Sequence, residues 1–129
     1  MATIKYFEDL EIWQIAREIS KEIYKISKYD KFRKDFALVD QIRRSSGSIM
    51  DNIAEGFDRD GSKEFKQFLS ISKGSSGECR SQIYRALDQE YISESEFKYI
   101  HSKLMEENIK IKRFMDYLRK TDFKGSKYM

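Results

Sequence analysis

No proline occurs anywhere in the 129 residues, so nothing in the chain is obliged to break a helix. Cys79 is the only cysteine, which excludes an internal disulfide and any cysteine-based metal site. His101 is the only histidine. A di-iron centre in a helical bundle needs two Glu-x-x-His motifs, and His101 has Lys98 three residues before it, so that chemistry is excluded. A Ser-His-Asp or Cys-His arrangement has little to build on, and no strand-to-helix nucleophile elbow is present. Long apolar runs are missing too. Phe36-Ala37-Leu38-Val39 is among the longest, far below the roughly 18 residues of a membrane span. The N-terminus shows no basic-then-apolar leader, so the expected compartment is the cytoplasm.

What is present points to one all-α domain over residues 1–129, an antiparallel up-down-up-down four-helix bundle. Ile12, Ile15, Ala16, Ile19, Ile23 and Ile26 recur at helical spacing and predict a first helix over about 9–28, with Asp9 as its N-cap. Leu38, Ile42, Ser45, Ile49 and Ile53 predict a second over about 34–56, closed by a left-handed Gly56. Ser62 is the expected N-cap of a third helix over about 62–90, whose stripe includes Phe65, Phe68, Leu69, Ser72, Ser76, Cys79 and Ile83. Ser93-Glu94-Ser95-Glu96 is a capping-box pattern that opens a fourth over about 93–121, striped by Phe97, Ile100, Leu104, Asn108, Ile111, Met115 and Leu118. No segment alternates with period two, so no sheet is expected, and the short connections require antiparallel neighbours.

Gly47, Gly74 and Gly77 fall inside these helices, where each costs about 1 kcal/mol relative to alanine. Serines surround them. A hairpin turning near residues 59 and 60 places Ser45–Ser48 opposite Ser72–Ser75, an arrangement expected to let two backbones approach closely. The same register makes Asp40 with Arg80, and Arg43 or Arg44 with Glu78, candidate ion pairs. Gly74-Ser75-Ser76-Gly77 is not read as a phosphate loop or an RNA-clamping GxxG, because both need flanking strands. Asp51, Glu55 and Glu78 are read as solvated or ion-paired acids, not as a catalytic pair.

Net charge is +3, unevenly spread. Residues 110–129 hold Lys110, Lys112, Arg113, Arg119, Lys120, Lys124 and Lys127 against Asp116 and Asp122, seven bases less two acids, or +5. Such an end attracts phosphate backbones. It equally suits a helix C-terminus, where cations complement the dipole. Nearby Tyr117, Phe123 and Tyr128 are candidates for stacking on bases, although aromatics at helical spacing also serve cores and interfaces.

Three blocks resemble a known family. Asp9-Leu10-Glu11-Ile12-Trp13-Gln14 is similar to its opening motif. Gln41-Ile42-Arg43-Arg44-Ser45, Ser48 and Asn52-Ile53-Ala54-Glu55-Gly56-Phe57 are similar to its central motif. Lys63-Glu64-Phe65, Phe68-Leu69, Lys73-Gly74-Ser75 and Glu78 resemble its third-helix pattern. The family is that of the bacterial 23S rRNA intervening-sequence proteins, and the resemblance spans about residues 5–120. It implies a four-helix bundle assembling into a ring, commonly a homopentamer, with no enzymatic activity; from the residues themselves no cofactor or metal is expected. More distant relatives are accessory proteins of diversity-generating retroelements that bind a reverse transcriptase and nucleic acid. The sequence departs from the usual pattern at Ser45-Ser46-Gly47 and at Met50-Asp51.

Within the motifs, Asn52 is a candidate for fixing register, Glu55 and Gly56 for shaping the helix exit, and Arg43 and Arg44 for ion pairing or anion contact. The expected function is a homo-oligomeric, nucleic-acid-associated scaffold, binding RNA or DNA through Arg43, Arg44 and the basic end. A protein-binding adaptor without nucleic-acid contact is the alternative.

Overall fold

The computed structural model describes residues 4–59 and 61–121. Four helices, α1 (Glu11–Ile26), α2 (Phe36–Asp58), α3 (Ser62–Asp88) and α4 (Glu94–Lys120), pack as an antiparallel up-down-up-down bundle. No strand occurs among the described residues. Lys124 and Lys127, together with Asp60, Asp122, Phe123, Gly125 and Tyr128, lie outside the described residues.

The predicted stripes form the core. Ile12, Ala16, Ile19, Ile23 and Ile26 of α1 meet Leu38, Ile42, Ile49 and Ile53 of α2, and Phe65, Leu69, Cys79, Ile83, Ile100, Leu104, Ile111 and Leu118 close the other side. Each buried aliphatic side chain contributes about 1.5–3 kcal/mol by leaving water.

The ends differ from expectation in instructive ways. Asp9 does not cap α1. Phe7–Asp9 form a single 3-10 turn, Leu10 is the extended N-cap residue with its side chain buried, and its carbonyl accepts from the Trp13 and Gln14 amides. The Trp13 ring packs on Phe7 at 5.1 Å, and the Gln14 side-chain amide donates to the Glu8 carbonyl at 2.8 Å. The opening motif is thus a clasp holding the entering chain on α1. The true cap of α2 is Asp35, whose carboxylate accepts from the Leu38 amide at 3.2 Å and from the Tyr91 hydroxyl at 2.9 Å. Phe32 stacks on Tyr91, and the Tyr29 hydroxyl donates to the Glu96 carboxylate. These contacts bind the α1–α2 connection to the α3–α4 connection. The hydrogen bond to Glu96, with burial, pushes the Tyr29 hydroxyl up to about 12. The Ser93–Glu96 capping box is present as predicted.

Gly56 does not terminate α2, which runs on to Asp58. It is buried, and a Cβ there would lie 2.6 Å from Phe68 Cβ, so glycine is required by the approach of α3 and not by backbone conformation. The left-handed glycine is Gly61, with φ 114°, and it displaces Ser62 from the cap position. Ser62 instead donates to the Thr121 carbonyl at 3.4 Å, tying α3 to the end of α4. Glu90 takes φ 59° behind α3, where the amides of Glu90 and Tyr91 close on Leu87 and Ala86 as in a Schellman ending.

The three interior glycines do not create the expected close approach: a Cβ at Gly47, Gly74 or Gly77 meets nothing within 4 Å. Opposite outcomes are therefore predicted for two glycine replacements. Gly56→Ala lowers unfolding stability by about 1–3 kcal/mol through overpacking, whereas Gly77→Ala raises it by about 0.5–1 kcal/mol through helix propensity. Urea unfolding followed by circular dichroism checks both, and a Gly56→Ala protein as stable as the parent contradicts the packing account.

Candidate functional site

The small-residue patches of α2 and α3 do meet, through serine hydroxyls and not through glycines. Ser48 Oγ and Ser75 Oγ lie 2.8 Å apart, Ser72 donates to the Ile49 carbonyl at 2.9 Å, and Ser45 donates to Gln82 Oε1 at 2.6 Å. Asn52, the candidate for fixing register, bonds within α2, donating to Ser48 O and Ser48 Oγ, both at 2.9 Å. It fixes register indirectly, by orienting the hydroxyl that meets Ser75. Arg85 donates to Gln41 Oε1 at 2.8 Å across the same seam.

Above this seam lies a shallow depression lined by Gln41, Arg44, Ser45, Ser48, Ser75, Glu78 and Gln82. Five of the singled-out residues, Gln41, Arg44, Ser75, Glu78 and (beneath Ser48) Asn52, converge here. Gly74 and Glu78 are exposed beside it, as is Ile71, at 51%. Glu55 projects from α2 and pairs with Arg59 at 3.0 Å. Trp13 stands apart on α1.

The predicted ion pairs are not formed. Arg44 holds Asp40 of its own helix at 3.0 Å, and Arg80 points its guanidinium at the Met105 sulfur. Arg43 donates to Ser27 Oγ at 2.9 Å and lies over the Tyr24 ring at 4.6 Å, so it faces α1 and not Glu78. Side-chain direction on a helix, set by 100° per residue, overrides the simple facing of sequence numbers.

The proposed cationic residues are not brought into one patch. Arg43 sits beside Ser27, whereas Lys110 sits beside Glu11, ~24 Å away along α1. Lys110 is engaged by Glu11 at 2.8 Å and Glu106 at 3.1 Å, while Lys112 and Arg119 both hold Asp116. Arg113 and Lys110 line one depression with Ile4, Leu10 and Phe114, away from the α2–α3 seam, and Lys120 lies at the exposed end of α4.

Glu107 is the residue that sequence reading missed. It lies fully buried on the α4 stripe between Leu104 and Ile111, with neither carboxylate oxygen hydrogen-bonded. Burial, reinforced by the neighbouring Glu106 charge, pushes its carboxyl up to about 9. Cys79 is likewise buried, and burial raises its thiol to about 12, which leaves it unreactive at neutral pH. His101 packs against Phe97 and Tyr84. Among the described residues no three potential ligands gather to hold a metal, and no helix is long and apolar enough to cross a membrane.

Residues 8–113 match the family described as 23S rRNA-intervening sequence protein. A solved structure of a protein of unknown function from the S23 ribosomal protein family of Bacteroides thetaiotaomicron superposes with a TM-score of 0.75 at 23% identity, covering 81% of this chain and 97% of that one. No curated protein matches in sequence.

Glu107 sets a pH dependence. Between the ordinary carboxyl value of 4.5 and about 9 the folded chain keeps a proton that the unfolded chain has released, so stability falls as pH rises across that window. Unfolding midpoints of the parent are predicted to drop from pH 5 to pH 8.5. Those of Glu107→Gln are predicted to stay nearly level, and equal slopes for both proteins contradict this reading.

Proposed function

This chain belongs to the 23S rRNA-intervening sequence protein family, and we propose that it acts without catalysis, as a self-assembling scaffold associated with nucleic acid. The observation that carries the reading is the convergence of Gln41, Arg44, Ser48, Ser75 and Glu78 on one solvent-facing seam. Such a surface recognises: the Ser48 and Ser75 hydroxyls are bonded to each other and Arg44 is held by Asp40, so they are not aimed at a common reacting point. No catalytic family is indicated for the chain.

Assembly follows from the same seam. Arg44 and Glu78 border one depression without pairing with each other, Gly74 adds no bulk beside them, and exposed Ile71 supplies an apolar contact. A second copy packed here would find opposite charges and a flat surface, and a ring of five is the arrangement expected. Nucleic-acid association draws support from the family's description and from the chain's basic balance.

Light scattering is predicted to give a multiple of 15.4 kDa, and Ile71→Glu is predicted to lower that mass. A monomer at all concentrations overturns the assembly reading. A labelled RNA is predicted to shift with micromolar protein at low salt and to be released as salt rises, because phosphate contacts depend on counterion release. A protein partner retained after nuclease treatment, with no RNA shift, would favour an adaptor instead.

A further inference from the structure

The outer surface of α1 is divided by charge. On the edge toward α4 stand Glu11, paired with Lys110, and Glu18, beside the Tyr99 hydroxyl. The edge toward α2 carries Trp13, Arg17 and Tyr24, at spacings of four and seven residues that keep them on one helical face, and Lys28 lies in the turn that follows α1. Two arginines on this edge lie over aromatic rings. Arg17 is 5.8 Å from the Trp13 centroid, and Arg43, reaching from α2, is 4.6 Å from the Tyr24 centroid. Arg43 is also held by Ser27 Oγ, so its plane is fixed before any ligand arrives. Phe36 projects beside them with 80% of its surface exposed, so most of its ring is open to a ligand. Tyr24, Phe36, Val39, Asp40, Arg43 and Arg44 enclose a depression of about 390 Å³.

We propose that this α1–α2 face is a track on which a single-stranded polynucleotide stacks its bases, on Phe36 and the Tyr24–Arg43 pair at one end and the Trp13–Arg17 pair at the other. The two pairs are ~16 Å apart along α1, room for a short run of nucleotides between them. Aromatic rings and guanidinium planes accept the π-face of any base, while Arg17 and Lys28 meet the phosphates. A duplex keeps its bases stacked on one another and offers nothing for Phe36 to cover. An anionic protein would satisfy the arginines but leave the exposed rings unmatched. The inference rests on the nucleic-acid association proposed above and gives it a location away from the basic end of α4.

The test uses the full-length protein with a fluorescein-labelled oligo-uridine of about twelve nucleotides and a duplex of equal length at low salt. The single strand is expected to bind at least tenfold more tightly than the duplex and to quench the fluorescence of Trp13, the only tryptophan in the chain. Phe36→Ser, Tyr24→Ser and Arg43→Lys are each expected to weaken binding about tenfold, the range of one lost stacking contact. Arg43→Lys keeps the charge and loses the plane, which separates stacking from simple attraction. Unchanged unfolding midpoints and unchanged mass by light scattering confirm that the variants fold and assemble. Tight binding that none of the three variants weakens, with Trp13 unquenched, overturns the track while leaving nucleic-acid association intact. Failure to bind either probe overturns both.

Discussion

Serine hydroxyls between α2 and α3 carry the register of the whole bundle. Ser45, Ser48 and Ser72 each find a partner on the opposite helix, at Gln82, Ser75 and the Ile49 carbonyl. Each bond contributes only about 1 kcal/mol net, but an axial slip would leave several polar groups buried and unpaired at once, so the penalty for the wrong alignment far exceeds the gain from the right one. The same device extends outward: Ser76 reaches the Leu104 carbonyl to place α4, and Ser27 receives Arg43 to place α1. Side chains this short leave no slack. The heights of Arg43 against Tyr24, and of Arg44 beside Glu78, follow from that alignment.

Much of the fold could be read from residue spacing because burial obeys helical period wherever side chains are aliphatic. The core isoleucines of α1, the stripe of α2 and the Ser93–Glu96 box all occupy the places their spacing assigns. What escaped was decided by contacts distant in sequence. Gly56 reads locally as a helix ending, and only the approach of Phe68 reveals a steric requirement. Asp35 and Tyr91, 56 residues apart, form a latch that no local pattern announces. Glu107 was legible in principle, since it sits three residues from Leu104 and four from Ile111, yet its charge masks its membership of the apolar stripe. The candidate site divided along similar lines. Several family motif residues gathered on one seam while Trp13 and Arg43 did not, and the described cationic residues are spread over two ends and largely held by nearby acids.

The bundle thus offers two surfaces of different chemistry on adjoining sides of α2. The α2–α3 side, where we propose a second copy packs, is polar and lined by small residues. The α1–α2 side alternates rings with guanidinium groups and keeps a phenylalanine in water. Helices of one rigid bundle separate these tasks cheaply, because residues 100° apart on α2 belong to different faces while sharing one backbone. Arg43 and Arg44, consecutive in sequence, illustrate the division: one turns toward Tyr24, the other toward Asp40 and the depression that Glu78 borders.

Cys79 gives this architecture a built-in clock. Its thiol is sealed in the core beside Ser45, at the level where α2 and α3 are locked, and burial keeps it protonated. Alkylating reagents attack the thiolate, so modification waits for the two helices to part and water to enter. Its labelling rate therefore counts openings of the core beside Ser45, without any introduced probe. Because the chain has no second cysteine, every modified molecule records exposure of this one thiol.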